Sequence, residues 1–371
     1  MRLMLRAAEG RRSARFGVTL SAVALLMTGC GHERVADDGP APDVIPFVSA
    51  RVTDNPGGTS TVRWSAPGVA TVRIYAEGRG EPVAEGGPRG TATVRGVAAH
   101  GRRWFRLVPD RGRALRLADR ALGLASVPNF RDAGGYRTAD GRWVAMGKVY
   151  RSAGLERISA ADRRTLRELG IGSVYDLRTV DESRAQPDAL RGADPRPRLL
   201  DVLGPGRSIA NTPPASAHHA RTLMRGSYGD FVVKKTGRRA YRTLFTAVAG
   251  ADKAVLYHCT AGKDRTGWAS AALLTALGVP HGTVVRDYLA SNPALAGYNR
   301  QAREHLPDAR EAAYEPMLGV RENYLHAAFG RVSDDYGSFD RYLKDGLRLE
   351  GRQLAALRDA LLVGEPAPEA T

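Results

Sequence analysis

The sequence predicts an α/β domain with a mainly parallel central sheet flanked by helices, preceded by a small all-β sandwich. Three observations carry this. Short alternating runs separated by turn residues fill positions 45–118. From 119 the pattern changes to helical and strand-like segments that alternate, with helices continuing to 362. An apolar strand pattern at 254–258 runs through a glycine-containing loop directly into a helical pattern.

The chain opens on a targeting pattern. Arg2, Arg6, Arg11, Arg12 and Arg15 precede a mostly apolar stretch at 18–27, which is the layout of a signal peptide over residues 1–29. The stretch is too short for a transmembrane span. It ends in Leu26-Met27-Thr28-Gly29-Cys30, and small residues just before a cysteine resemble the bacterial lipobox, with Met27 where Leu is usual. The expectation is export, with Cys30 lipidated and the protein anchored to the outer face of a bacterial cell membrane, or else secreted. Residues 30–44 are polar and proline-containing and read as a tether.

In the all-β part, strand-like runs fall at 47–52, 61–64, 71–75, 91–94, 104–108 and 115–117. Asn55-Pro56-Gly57-Gly58, Ala66-Pro67-Gly68 and Gly86-Gly87-Pro88 supply the turns. Trp64 is the expected core anchor. The spacing loosely resembles a fibronectin type III module, and it contains no catalytic constellation.

In the α/β part, Ser159-Ala160-Ala161-Asp162 starts a helix that runs to Leu169 and stops at Gly170. Residues 173–177 read as a buried strand. Residues 203–222, rich in Pro, Gly, Ser and Ala, read as an insertion or lid. Apolar spacing at Phe231, Val232, Tyr241, Leu244, Phe245 and Val248 predicts one helix over 228–249. Residues 254–258 are a strand and 266–277 a helix closed by Gly278. A disordered tail is expected over 363–371. No internal repeat is evident.

Composition narrows the function. The 371 residues suffice for two domains, and 43% hydrophobic with 25% charged residues is ordinary for a globular protein. The net charge is +16, yet there are only six lysines (Lys148, Lys234, Lys235, Lys253, Lys263 and Lys344) and no long basic run. The charge is spread, so no nucleic-acid partner is expected. Nothing in the sequence fixes the oligomeric state, and a monomer suffices. There are two cysteines. If Cys30 carries lipid, Cys259 is left without a disulfide partner, and a catalytic thiol is one explanation.

Cys259 lies in His258-Cys259-Thr260-Ala261-Gly262-Lys263-Asp264-Arg265-Thr266-Gly267. A strand, a loop with converging N–H groups and a helix N-terminus together make an anion site. Gly262 and Gly267 permit a tight backbone path. Arg265 offers a planar fork for two phosphate oxygens. Each of these favours a thiolate at Cys259, able to attack phosphorus. Thr260, Ala261, Gly262, Lys263 and Gly267 would line the cradle.

This loop resembles the signature of protein-tyrosine and dual-specificity phosphatases, and in particular a bacterial tyrosine-phosphatase family with a Gly-Lys-Asp-Arg loop. Further segments resemble that family: Asn129-Phe130-Arg131-Asp132-Ala133-Gly134-Gly135-Tyr136 (with Ala133 where Leu is usual), Val149-Tyr150-Arg151-Ser152, Tyr175-Asp176-Leu177-Arg178, and Arg286-Asp287-Tyr288-Leu289-Ala290-Ser291-Asn292. The resemblance covers about 120–350, so the catalytic domain is expected over 119–362. It implies that Cys259 is the nucleophile and Arg265 the phosphate ligand. It also implies that His258 orients and acidifies the thiol, and that the Thr266 hydroxyl supports the sulfur as leaving group. The general acid is Asp176, at a strand end, or Asp264, inside the loop, with Asp176 slightly favoured and Asp132 an outsider. Substrates would be phosphotyrosine proteins, with phosphoserine and phosphothreonine included if the enzyme is of dual specificity, and phosphoinositides are the alternative because Lys263 adds charge to the cradle. A non-catalytic, surface-anchored binding protein is the remaining alternative. No cofactor is expected, since no His, Asp or Glu cluster shows metal-ligand spacing.

Overall fold

Alternating side chains build the N-terminal part from seven strands: β1 (Ser49–Asp54), β2 (Ser60–Ser65), β3 (Val72–Ala76), β4 (Ala84–Gly86), β5 (Arg89–Val94), β6 (Trp104–Pro109) and β7 (Leu115–Ala118). They form two antiparallel sheets, ordered β1-β2-β5 and β4-β3-β6-β7. Every second residue points inward, so Val62, Trp64, Val72, Ile74, Phe105, Leu107, Leu115 and Leu117 share one core. The Trp64 ring lies across β5, where a Cβ on Gly90 would come within 2.1 Å of it. Its indole N–H donates to the Gly87 carbonyl at 3.0 Å. Strand β4 escapes sequence reasoning because Ala84-Glu85-Gly86 has no β-branched or aromatic residue; it is a three-residue edge paired to β3.

The computed structural model describes residues 43–95, 101–192, 194–206 and 213–367. The expected signal peptide, Cys30 and nearly all of the tether lie outside these residues. Among them, no helix is long and apolar enough to cross a membrane.

The second part is mixed α/β. It begins with β8 (Arg131–Asp132), β9 (Trp143–Val144), β10 (Val149–Ser152), α1 (Ala160–Glu168), β11 (Ile171–Asp176), α2 (Val180–Ala185) and β12 (Pro197–Leu199). Next come α3 (Ala217–Val233), α4 (Lys235–Ala249), β13 (Ala254–His258), α5 (Arg265–Ala276) and α6 (His281–Leu289). The central sheet runs β12-β11-β13-β10-β8, parallel except for β8. Strand β13 is central, and all five of its residues are buried, as a strand covered on both faces must be. Only Thr275 of α5 escapes full burial, so the helix leaving the loop is a core element. Helices α7 (Ser291–Ala294), α8 (Ala296–Glu304), α9 (Asp308–Leu318), α10 (Glu322–Tyr336), α11 (Phe339–Arg341), a π-turn at Tyr342–Gly346 and α12 (Gly351–Leu361) complete the domain. Strand β14 (Leu362–Val363) pairs with β9.

Three expectations need correction. The single helix over 228–249 is two, because Lys234 adopts an extended backbone between α3 and α4. Gly237 then packs so tightly on the Phe231 carbonyl that a Cβ would lie 2.8 Å from it. The loop expected to reach 222 ends earlier: Ser216 caps α3 by accepting from the His219 N–H, and Ala220 is fully buried. Residues 207–212 of that segment lie outside the described residues. The tail does not begin at 363. Val363 belongs to β14, Glu365 bridges Val44, and the Ala367 N–H donates to the Asp140 carbonyl. Only 368–371 lie outside.

Candidate active site

The loop after β13 has its carbonyls turned outward. The Thr260 carbonyl accepts from the Gly154 N–H at 3.1 Å. The Ala261 carbonyl accepts from Asn129 Nδ2 at 3.3 Å. The Gly262 carbonyl accepts from Asn129 Nδ2 and Arg151 Nη2, both at 2.8 Å. In a planar trans peptide the carbonyl and the following N–H point in opposite directions. Three carbonyls fixed outward therefore aim the N–H groups of Ala261, Gly262 and Lys263 into the loop, where the N-terminus of α5 adds its positive pole. Gly262 has φ +64°, and a Cβ there would lie 2.2 Å from the Ser152 carbonyl oxygen. No other residue fits.

Cys259 sits in this loop, 2% exposed. Burial pushes its thiol up. The positive charge of Arg265, with the Thr266 hydroxyl and N–H, outweighs that and holds the thiol below its ordinary value. Thr266 Oγ1 is buried and faces this sulfur.

Arg265 is also buried, and in this state it is engaged by a residue the sequence reading missed. Glu182 takes both ends of its fork: Nη1 donates to Oε2 at 2.5 Å and Nη2 to Oε1 at 3.0 Å. Nη2 also donates to Thr260 Oγ1 at 3.1 Å, while Nε is buried without a partner. Glu182 is placed by a capping box at the start of α2, where Thr179 and Glu182 bond each other's backbone N–H groups. Burial raises the Glu182 pKa, but the Arg265 hydrogen bonds bring it below its usual value. The signal was present as Thr179-Val180-Asp181-Glu182, a capping box immediately after the β11 strand-end motif.

His258 and Asp176 form a separate buried cluster with Asp188. His258 Nε2 lies 3.0 Å from Asp188 Oδ2, and Nδ1 lies 3.9 Å from Asp176 Oδ1. Burial lowers the His258 pKa, but the two carboxylates raise it above its ordinary value overall. Asp176 accepts from Arg178 Nε and Nη2 and from the Arg178 backbone N–H. Against its burial, His258 and Arg178 keep its carboxyl low. Asp176, Asp188 and His258 are close enough together to hold a cation, a grouping that sequence spacing did not reveal. The Arg178 guanidinium already meets both carboxylates, at 2.9 Å each.

Asp264 stands on the other side of the loop. Its Oδ1 accepts from the Tyr228 hydroxyl at 2.9 Å and its Oδ2 from Lys263 Nζ at 2.7 Å. Tyr228 in turn shares a 2.6 Å hydrogen bond with the Tyr288 hydroxyl. Gly267 packs on the Tyr288 ring, where a Cβ would be 3.0 Å away.

Beneath the loop, two buried guanidiniums share one carboxylate. Asp287 accepts from Arg131 Nε at 3.3 Å, from Arg151 Nη1 at 3.0 Å and from the Tyr136 hydroxyl at 2.8 Å. Burial would raise the Asp287 carboxyl, yet the two arginines hold it at about 2. One negative charge against two positive ones leaves a surplus cation under the anion site. Three of the family-like segments meet in this network.

The model of the tyrosine phosphatase family matches residues 122–363. The chain belongs to the tyrosine phosphatase family. Curated relatives agree. A Cupriavidus necator protein named as a tyrosine-protein phosphatase is 36% identical, over 63% of this chain and 86% of the relative. The triple specificity protein phosphatase PtpB of Mycobacterium tuberculosis is 31% identical over 58% of this chain and 90% of its own. A tyrosine-protein phosphatase of Nostoc commune is 33% identical over 52% and 67%. The phosphatase is thus a cysteine-dependent enzyme of the tyrosine and dual-specificity class, and the family match begins only after β7.

Proposed function

We propose that the phosphatase hydrolyses phosphotyrosine proteins, with phosphoserine and phosphothreonine as dual-specificity substrates, through a phosphocysteine intermediate on Cys259. The observation that carries this is the pairing of an acidified, buried Cys259 with Arg265 in a loop whose N–H groups converge. The thiolate attacks phosphorus in line while the P–O bond to the substrate breaks. The cradle N–H groups and Arg265 hold the equatorial oxygens. A water then attacks the phosphocysteine, and the Thr266 hydroxyl donates to the departing sulfur. His258, fixed by Asp188 and Asp176, orients the strand end that carries the nucleophile.

In this reading Asp264, inside the loop beside Arg265, is taken as the general acid, with Asp176 as the alternative. A general acid must carry a proton before the leaving oxygen departs. Asp176 is 1% exposed and paired with Arg178, and against its burial His258 and Arg178 keep its carboxyl low. Asp264 adjoins Arg265 inside the loop, and its side chain, 11% exposed, is paired with Lys263. It would protonate the leaving oxygen and later accept the proton of the attacking water.

One observation favours phosphoinositides as a second substrate class: Lys263 places a nearly buried ammonium in the same loop, where it is paired with Asp264. Residues 1–42 support export with lipidation at Cys30, or secretion. The strand order β1-β2-β5 and β4-β3-β6-β7 supports reading the N-terminal module as fibronectin III-like. Assaying purified protein on phosphotyrosine peptide, phosphoserine peptide and short-chain phosphoinositides, beside Cys259→Ser, tests the reading. Phosphotyrosine hydrolysis lost in Cys259→Ser supports it. Turnover retained in Cys259→Ser, or none in wild type, overturns it.

A further inference from the structure

The all-β module lies outside the family match, yet it reaches into the motif that holds the catalytic loop. Arg102, between β5 and β6, is only 5% exposed and meets Asp132, which is fully buried. Its Nη1 donates to Asp132 Oδ2 at 2.5 Å and to the Tyr150 hydroxyl at 3.1 Å, and its Nη2 to the Asp119 carbonyl at 2.9 Å. The guanidinium also stacks on Trp104, 4.2 Å from the ring centroid. Among the described residues, Asp132 otherwise accepts only from backbone, the N–H groups of Gly134 and Gly147. Arg102 is therefore the charge that allows a carboxylate to stay buried there.

Asp132 belongs to β8, where it pairs with Tyr150 while its neighbour Arg131 pairs with Arg151. Arg151 holds the Gly262 carbonyl. Arg131 holds Asn129, which holds the same carbonyl. Asn129 itself sits at φ +60°, in the left-handed region that asparagine tolerates better than most residues. A second contact ties the two parts together. Trp143, Met146 and Val363, all from the α/β part, are packed into the core of the β module.

We propose that the β module is a working part of the phosphatase, and that Arg102 is a positioning residue for the catalytic loop. By fixing Asp132 it fixes the register of β8 on β10, and through Asn129, Arg131 and Arg151 the outward turn of the Gly262 carbonyl. This rests on reading the 259–265 loop as the phosphate cradle.

The test compares Arg102→Met with Arg102→Lys in the full chain, at a temperature where circular dichroism shows both folded. Arg102→Met lowers kcat by roughly threefold to thirtyfold and raises the thiol pKa of Cys259, read from the pH dependence of iodoacetamide alkylation. Arg102→Lys keeps the charge at Asp132 but not the fork, and is intermediate in both readouts. Adding Asp132→Asn to Arg102→Met restores melting temperature but not kcat. A purely structural joint would change melting temperature alone. If Arg102→Met does not fold, Arg102→Lys decides. Wild-type kcat and wild-type thiol pKa in the folded variants would overturn the proposal. Absence of turnover in the wild type would instead overturn the functional reading beneath it.

Discussion

Replacing Glu182 by alanine separates two roles that its position allows. Glu182 either orients Arg265 for phosphate or competes with phosphate for it. Two hydrogen bonds, of 2.5 and 3.0 Å, join the pair, with Arg265 3% and Glu182 20% exposed. Hydrogen bonds to charged groups contribute about 1.5–3 kcal/mol, and an arginine left buried without its carboxylate is free to turn. The orienting role therefore predicts a loss of about 1.5–3 kcal/mol in transition-state binding, roughly tenfold to a hundredfold in kcat/KM. Glu182→Gln, which keeps one acceptor for Arg265, falls between. Thr179→Ala removes the other half of the capping box and leaves the ion pair. It costs about 1 kcal/mol of stability, with kcat/KM within a few-fold of wild type. Steady-state kinetics on a phosphotyrosine peptide, with melting curves, makes the comparison. If Glu182→Ala matches or exceeds wild type, the carboxylate is a competitor and the orienting argument fails.

Two further outcomes follow from the charged groups. The rate on phosphotyrosine should rise with pH as Cys259 ionises, at lower pH than an ordinary thiol because of Arg265 and Thr266. The descending limb at high pH should vanish in Asp264→Asn and persist in Asp176→Asn; persistence in both would remove Asp264 as the acid. Asp287, held at about 2 against an ordinary value near ~3.9, has a depressed folded pKa. Its stabilisation is complete above pH ~4 and lost as pH falls toward 2, by about 2 kcal/mol. Asp287→Asn should flatten that acid limb in denaturant titrations, and an unchanged limb would contradict the assignment.

What the sequence made legible was contiguous. Strand β13, the loop and α5 follow one another without interruption, so the strand-loop-helix that carries Cys259, Arg265 and Thr266 could be read directly. Trp64 and the alternating strands were legible for the same reason: period-two burial is local. The missed features depend on pairs distant along the chain. Glu182 meets Arg265 across 83 positions, and Arg102 meets Asp132 across 30. The grip of Arg178 on Asp176, which bears on the choice between Asp176 and Asp264 as the acid, is not visible in residue types. The break at Lys234 was hidden because apolar spacing continues on either side of it. Residues 363–367 looked like tail, since their order comes from partners at Val44, Asp140 and β9 rather than from their own composition.

The central claim is covalent catalysis by Cys259. Rapid acid quench of wild type during turnover of a phosphotyrosine peptide, followed by peptide mass spectrometry, tests it most directly. One phosphoryl group should appear on the peptide that contains Cys259, and it should be absent from Cys259→Ser. Steady turnover with no such adduct, or turnover that survives in Cys259→Ser, would contradict it.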